Sequence, residues 1–145
     1  MCIRDRVGSS IADLLCELEH SVTVVDVDPV KVARINEECD ARAIVGSGSQ
    51  SSTLFQAGMS GADVCMAMTG SDEINIVGAS LAKSMGARRS IARIFSPVFR
   101  DLSTFDYQRH FNIDRMLSLE QLTAMELARS IREPGSVVVL SLIHI

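Results

Sequence analysis

The 145-residue sequence predicts an α/β fold, a doubly wound parallel sheet with helices on both faces. Three observations carry this. Short β-branched runs such as "VTVV" alternate with helix-spaced segments from residue 7 to 139, an alternation that builds a parallel sheet covered on both sides. Right-handed crossovers then wind the helices onto both faces. With 47% hydrophobic residues, the chain supports one core but is too short for two ordinary domains.

The elements follow in order. After Val7 and Gly8, "SSIADLLCELEH" places Ile11, Leu14, Leu15 and Leu18 at helical spacing. "SVTVVDVDP" reads as a buried strand ending in carboxylates, and Pro29 suits the first turn of the next helix, "PVKVARINEEC". "ARAIV" is a strand, "GSGSQSS" a loop and "TLFQAG" a brief helix, followed by the strand "ADVCMAMTG". "SDEINIVGASLAKSMG" is a helix with Ser71 as N-cap, acidic residues in its first turn and Gly86 as C-cap. "SIARIFS" is a strand, the stretch from Pro97 to Phe111 a less regular helix, and "IDRML" a further strand. "SLEQLTAMELARSIREPG" is an amphipathic helix stopped by Pro134 and Gly135, and "SVVV" begins another element. Met66, Met68, Met116 and Met125 fall within these elements and are expected in the core.

The two ends read differently. Back-translated, "MCIRDR" can be written ATG TGT ATA AGA GAC AGx and "LSLIHI" can be written CTG TCT CTT ATA CAC ATx. These strings are reverse complements and look like the mosaic-end sequence of transposase-based libraries. Residues 1–6 and 140–145 are therefore expected to be translated adaptor, leaving 7–139 as the authentic domain with the start of a following segment. The first strand of the sheet is then truncated or replaced.

Composition excludes several classes. The formal charge is −4 with no block of Lys or Arg, so a nucleic-acid partner is not expected. No stretch approaches the roughly 20 apolar residues of a membrane span, and no signal peptide follows Met1, so the chain should be cytosolic without inserting into a membrane itself. Cys2, Cys16, Cys39 and Cys65 lack C-x-x-C spacing and read as buried reduced thiols, with no metal site.

The candidate chemistry lies at the turn after the first strand. A Rossmann unit carries G-x-G-x-x-G there, its glycines admitting a pyrophosphate to the helix start. If Gly8 is the third glycine, the first two positions are Ile3 and Asp5, so the motif is incomplete. Asp26 supports it, 18 residues after Gly8 at the end of the second strand, where a carboxylate accepts hydrogen bonds from both ribose hydroxyls of an adenosine. The same charge repels a 2′-phosphate, which favours NAD over NADP. The competing role for Asp26 is a strand-end turn residue. Asp28 reads as solvent-facing or as the cap of the next helix.

At this level the sequence resembles the nucleotide-binding RCK or KTN domains of Trk-type potassium-uptake regulators and ligand-gated potassium channels. The matching segments are "VTVVDVDP", "VGSGS" with "LFQAG", "ADVCMAMTGSDEIN", "IARIFSP" and "IDRMLSLEQLTAMELARSIREPG", covering residues 7 to about 139. The resemblance implies a Rossmann-like domain that is not an enzyme, that binds NAD(H), or ATP and ADP in relatives, and that signals to a potassium transporter or channel. It implies a cytoplasmic place at the inner face of the plasma membrane, reached through that partner, and a homo-oligomer formed through the last long helix, whose Leu119, Leu122, Met125 and Leu127 would cross to a neighbouring subunit.

By position it puts Gly8 and Ser9 at the pyrophosphate, Asp26 and Val27 at the adenosine ribose, and Ser47, Gly48 and Ser49 at the adenine. Relatives often carry Asp, Asn or His where Ser47 stands. Thr69 and Gly70 would face the crevice from the other half of the sheet, and Arg93 would meet either a phosphate or an interface carboxylate. Asp72, Glu73 and Asn75 read as helix-start and packing residues. No nucleophile, base and orienter assemble into a catalytic set. The alternative is the Rossmann domain of an NAD-dependent dehydrogenase. That would call for a proton-transferring His, Lys or Tyr where this chain has "TGSDEIN".

Overall fold

The computed structural model describes residues 6–130. Helices and strands alternate along them: α1 (Arg6–Glu17), β1 (Thr23–Asp26), α2 (Pro29–Glu38), β2 (Arg42–Val45), α3 (Ser51–Gln56), β3 (Val64–Ala67), α4 (Asp72–Ser84), β4 (Arg89–Arg93), α5 (Tyr107–His110), β5 (Arg115–Leu117) and α6 (Leu119–Ser130). Every strand pair is parallel. β1 pairs β2 from Thr23↔Arg42 to Asp26↔Val45; β3 pairs β4, and β4 pairs β5. The orders β1-β2 and β3-β4-β5 are the two halves of a doubly wound sheet, flanking the place expected for a first strand. That strand, expected before Val7, lies outside the described residues, as do the expected stop at Pro134 and Gly135 and the "SVVV" segment.

Local chemistry sets the helix ends. Asp28 caps α2, its carboxylate accepting the Val30 N–H at 2.9 Å, with Pro29 in the first turn. Ser71 caps α4 by accepting the Ile74 N–H at 3.3 Å. At the other end the cap is Met85 rather than Gly86, and Gly86 follows at φ 113. There the Ala87 N–H reaches the Ala82 carbonyl at 3.0 Å and the Gly86 N–H that of Lys83 at 3.2 Å, a Schellman closure that only glycine enters without strain.

The core lies between α4 and the β3-β4-β5 sheet: Ile76, Ala79, Ala92, Ile94 and Ile113 are buried, with Ala67, Phe99, Phe111 and Met116 packed against them. Small residues at Ala79 and Ala92 let helix and strand approach closely. Two methionines expected in the core are exposed: Met66, on a strand paired on one side only among the described residues, and Met125, on α6. The stretch Pro97 to Phe111 is not one helix. It divides into a 3-10 turn at Pro97–Arg100 and the short α5, because Asp101 bonds the Ser103 N–H and Asp106 caps α5 through the Arg109 N–H, both at 2.9 Å. Cys16, Cys39 and Cys65 are free and half-buried, and burial pushes the Cys65 thiol up to about 11.

One polar tie closes the far side of the sheet. Lys83 Nζ lies 2.8 Å from Asp114 Oδ2, which also accepts the Ser90 N–H at 2.7 Å. The Lys83 ammonium first, and then the Ser90 N–H, hold the Asp114 carboxyl below the usual carboxylate range. A lowered folded-state value means that its stabilisation is present above the unfolded value near about 4 and is lost as pH falls through the folded one. Asp114→Asn should cost about 1 kcal/mol at pH 7, the low end for a charged hydrogen bond at a partly exposed site. Urea melts across pH should show the difference from the parent shrinking as the solution is acidified below pH 4.

Candidate functional site

Parallel pairing brings the carboxyl ends of the strands to one edge, and most of the predicted site residues stand there. Asp26 closes β1 and is half-buried; its Oδ1 accepts the Asp28 N–H at 2.8 Å. Its other oxygen makes no hydrogen bond among the described residues. The turn role and a free acceptor therefore coexist in one carboxylate. Val27, next in the chain, is exposed.

Ser47, Gly48 and Ser49 form the turn after β2. The Ser47 and Ser49 hydroxyls lie 2.9 Å apart, and the Gln50 N–H reaches the Ser47 carbonyl at 3.1 Å. The Gly48 carbonyl packs so closely on α4 that a Cβ on Gly78 would stand 2.7 Å from its oxygen. This contact joins the two halves of the fold.

α1 reaches the same edge from its other end. Asp13 Oδ1 accepts the Cys39 thiol at 3.1 Å, and the Cys16 thiol lies 3.6 Å from the Asp40 carbonyl. Cys39 and Asp40 precede β2, so the later turns of α1 sit at the strands' amino edge and its first turn, with Gly8 and Ser9, extends toward the carboxyl edge. A Cβ placed on Gly8, Gly48 or Gly70 would meet nothing within 4 Å. This edge thus offers open space and one carboxylate with an oxygen that makes no hydrogen bond among the described residues.

On the other half, Thr69 and Gly70 follow β3 and are clamped from α4. Asn75, fully buried, accepts the Thr69 N–H and hydroxyl, each at 2.8 Å, and donates to the carbonyls of Thr69 at 3.0 Å and Arg93 at 2.9 Å. Asp72 accepts the Phe95 and Ser96 N–H groups, both at 2.8 Å. These side chains organise the strand ends from within, in line with the helix-start and packing roles read from sequence. The reach of Asn75 to β4 was not visible there; the i, i+3 spacing of Asp72 and Asn75 was its only trace. The beginning of α4 is itself acidic: Glu73's own backbone N–H, then the Ser71 hydroxyl, hold its carboxyl below the usual range. The open cleft of about 690 Å³ that includes Gly70, Asp72 and Glu73 is thus a poor seat for an anion.

Arg93 ends β4 and stands apart. It is 4% exposed, with its guanidinium carbon 4.2 Å from the Phe95 ring centroid and Nη2 3.9 Å from Glu120 of α6. Among the described residues no group of three or more His, Cys, Asp or Glu side chains is placed to hold a metal.

The model of the TrkA-N domain family matches residues 4–106. The chain is 30% identical over 136 residues to the Trk system potassium uptake protein TrkA of Halomonas elongata, covering 93% of this chain and 30% of that protein. It is 33% identical over 132 residues to a TrkA homolog of Methanothermobacter thermautotrophicus, covering 89% and 57%. The chain therefore spans between about a third and somewhat over half of these relatives' length. Among solved structures, the GsuK channel bound to NAD superposes with a TM-score of 0.69 at 18% identity, covering 83% of this chain and 21% of the channel, a likeness of fold.

Proposed function

Because the chain belongs to the TrkA-N domain family, we propose that it is a regulatory nucleotide-binding domain, not an enzyme, that controls a potassium transporter or channel from the cytosolic membrane face. The observation that carries the nucleotide reading is Asp26, whose carboxylate closes β1 with one oxygen left for a ribose hydroxyl. NAD(H) is the ligand, with ATP or ADP as further adenine nucleotides. The first-turn N–H groups of α1 at Gly8 and Ser9 receive the pyrophosphate, and Val27 flanks the ribose. Ser47, Gly48 and Ser49 border the adenine, and Thr69 with Gly70 bounds the crevice from the opposite half. The naming of the relatives as potassium uptake proteins and the NAD bound by the GsuK channel support this assignment.

Regulation needs a ligand with different affinity for two arrangements of the assembly. A second copy of the chain is the natural cover for Leu122 and Met125, exposed along α6. No helix among the described residues is long and apolar enough to cross a membrane. No observation favours the dehydrogenase reading, because Asp72 and Asn75 are committed to backbone groups.

Calorimetric titration of the chain with NAD, NADH, ATP, ADP and NADP tests the nucleotide reading. The expected result is saturable NAD or NADH binding, with NADP at least about tenfold weaker, the scale of one charge-assisted hydrogen bond turned to repulsion. Equal or tighter NADP binding overturns the role of Asp26, and no binding of any of the five overturns the proposal.

A further inference from the structure

Two free thiols share the contact between the last turns of α1 and the end of α2, and each is held by a neighbour of the other. Cys39 donates its thiol proton to Asp13 Oδ1 at 3.1 Å, and Asp13 lies one turn before Cys16 on the same side of α1. Cys16 in turn donates to the carbonyl of Asp40, the residue after Cys39, at 3.6 Å. The Cys39 backbone is fixed as well, its N–H reaching the Ile35 carbonyl at 3.0 Å. The Asp13 bond first, then partial burial and the nearby charges of Asp13, Cys16 and Glu38, push the Cys39 thiol above its ordinary value. Cys16 is thus near enough for its charge to be felt there. Both side chains are half-buried, so a small reagent reaches them. The other described cysteine, Cys65, lies on β3 in the other half of the sheet.

Two thiols on different helices, each bonded to the other's neighbour, are the frame of a reversible crosslink. We propose that Cys16 and Cys39 are a redox-modification site, a dithiol that a small disulfide oxidant converts to a cystine joining α1 to α2, with Asp13 holding Cys39 back. The Cys16 thiolate, its proton released to solvent, attacks one sulfur of the oxidant and expels the first thiolate. Cys39 then loses its own proton to solvent, attacks the Cys16 sulfur of the mixed disulfide and expels the second thiolate. The two protein thiols give up two electrons in all, and the oxidant is reduced to two thiols. Only the sulfur bonds to Asp13 and Asp40 are lost, and these are weak. The Asp13 carboxylate favours the protonated Cys39 and repels its thiolate, so the second step is the slow one. The same preference makes Cys39 a poor leaving group, so the cystine once formed resists reduction. The crosslink closes a loop that contains β1 and α2. It stands whether or not a nucleotide binds beside them.

The test incubates the 145-residue chain with hydroxyethyl disulfide and mercaptoethanol at fixed ratios, quenches with acid and maps cystines by tryptic mass spectrometry, in which peptides 7–31 and 35–42 become linked. The expected product is the crosslink between Cys16 and Cys39, with an equilibrium constant at least about tenfold greater in the folded chain than in concentrated urea. The oxidised chain should melt about 5 °C or more above the reduced one. Cys39→Ser should stop at the mixed disulfide on Cys16. Asp13→Asn, at an exposed position of α1, should close the crosslink about threefold faster at neutral pH by removing the charge beside Cys39. No crosslink between Cys16 and Cys39, one no more favourable in the folded chain than in urea, or one that Cys2 or Cys65 forms equally well with Cys16 overturns the proposal. A closing rate indifferent to Asp13→Asn overturns the role given to Asp13.

Discussion

Asn75→Ala should cost about 3 kcal/mol or more of folding stability, the largest effect of any single polar truncation in the described fold. The side chain is fully buried and satisfies a backbone N–H, a hydroxyl and two backbone carbonyls at once. Truncation leaves the buried Arg93 carbonyl without its donor and removes three bonds to the more exposed Thr69, at a desolvation cost of about 1–3 kcal/mol for the buried group and less for the others. Against a total of about 5–15 kcal/mol for a domain, that is a large fraction. Asn75→Asp should be at least as damaging, because it turns a carboxylate oxygen toward the carbonyls of Thr69 and Arg93 and buries its charge. Urea unfolding of the two variants beside the parent checks this, with an unchanged m-value expected. A loss below about 1 kcal/mol for Asn75→Ala would mean that the clamp between β3 and β4 is not a structural necessity.

The reason Asn75 was legible only as a packing residue is physical. Its place in the first turn of α4 follows from the Ser71 cap and the acidic residues behind it, all local signals. Its bond to the Arg93 carbonyl depends on how α4 lies against β4, 18 residues on, and no local pattern encodes that. Gly78 is similar: glycine is required because the Gly48 carbonyl, 30 residues earlier in the chain, packs on the helix there. The alternating strand and helix periods, by contrast, were enough for the parallel α/β architecture, since each element announces its own face and ends.

Where apolar spacing and turn chemistry disagreed, turn chemistry prevailed. The stretch from Pro97 to Phe111 has helix-like apolar spacing, but Asp101 and Asp106 each capture a nearby N–H and break it in two. In the candidate site, the turn role of Asp26 was legible because a carboxylate at a strand end captures a nearby N–H, here that of Asp28. The orphaned nitrogens of Arg93 and Arg100 were not, since an unmet hydrogen bond exists only once the partners that might have met it have been placed.

Asp26→Asn is expected to weaken NAD binding by about ten- to a hundredfold while leaving the fold intact, and it separates the turn role of this carboxylate from its proposed ribose role. One oxygen already serves the turn, accepting the Asp28 N–H at 2.8 Å. An asparagine carbonyl accepts that bond equally well, so the passage from β1 into α2 and the Asp28 cap on Val30 should survive. What asparagine lacks is the charge and the second acceptor, whose place an NH₂ group takes in front of the ribose hydroxyls. Repulsion of a 2′-phosphate disappears with the charge, so NADP should gain relative to NAD and the preference should shrink or invert. Asp26→Ala should lose ligand affinity to a similar degree and also destabilise the domain by about 1 kcal/mol, because the Asp28 N–H loses its acceptor. Calorimetric titration with both dinucleotides, together with thermal melts of the three proteins, reads these effects independently. If Asp26→Asn binds NAD as the parent does while Asp26→Ala is merely less stable, the carboxylate is a turn residue and the ribose is held elsewhere.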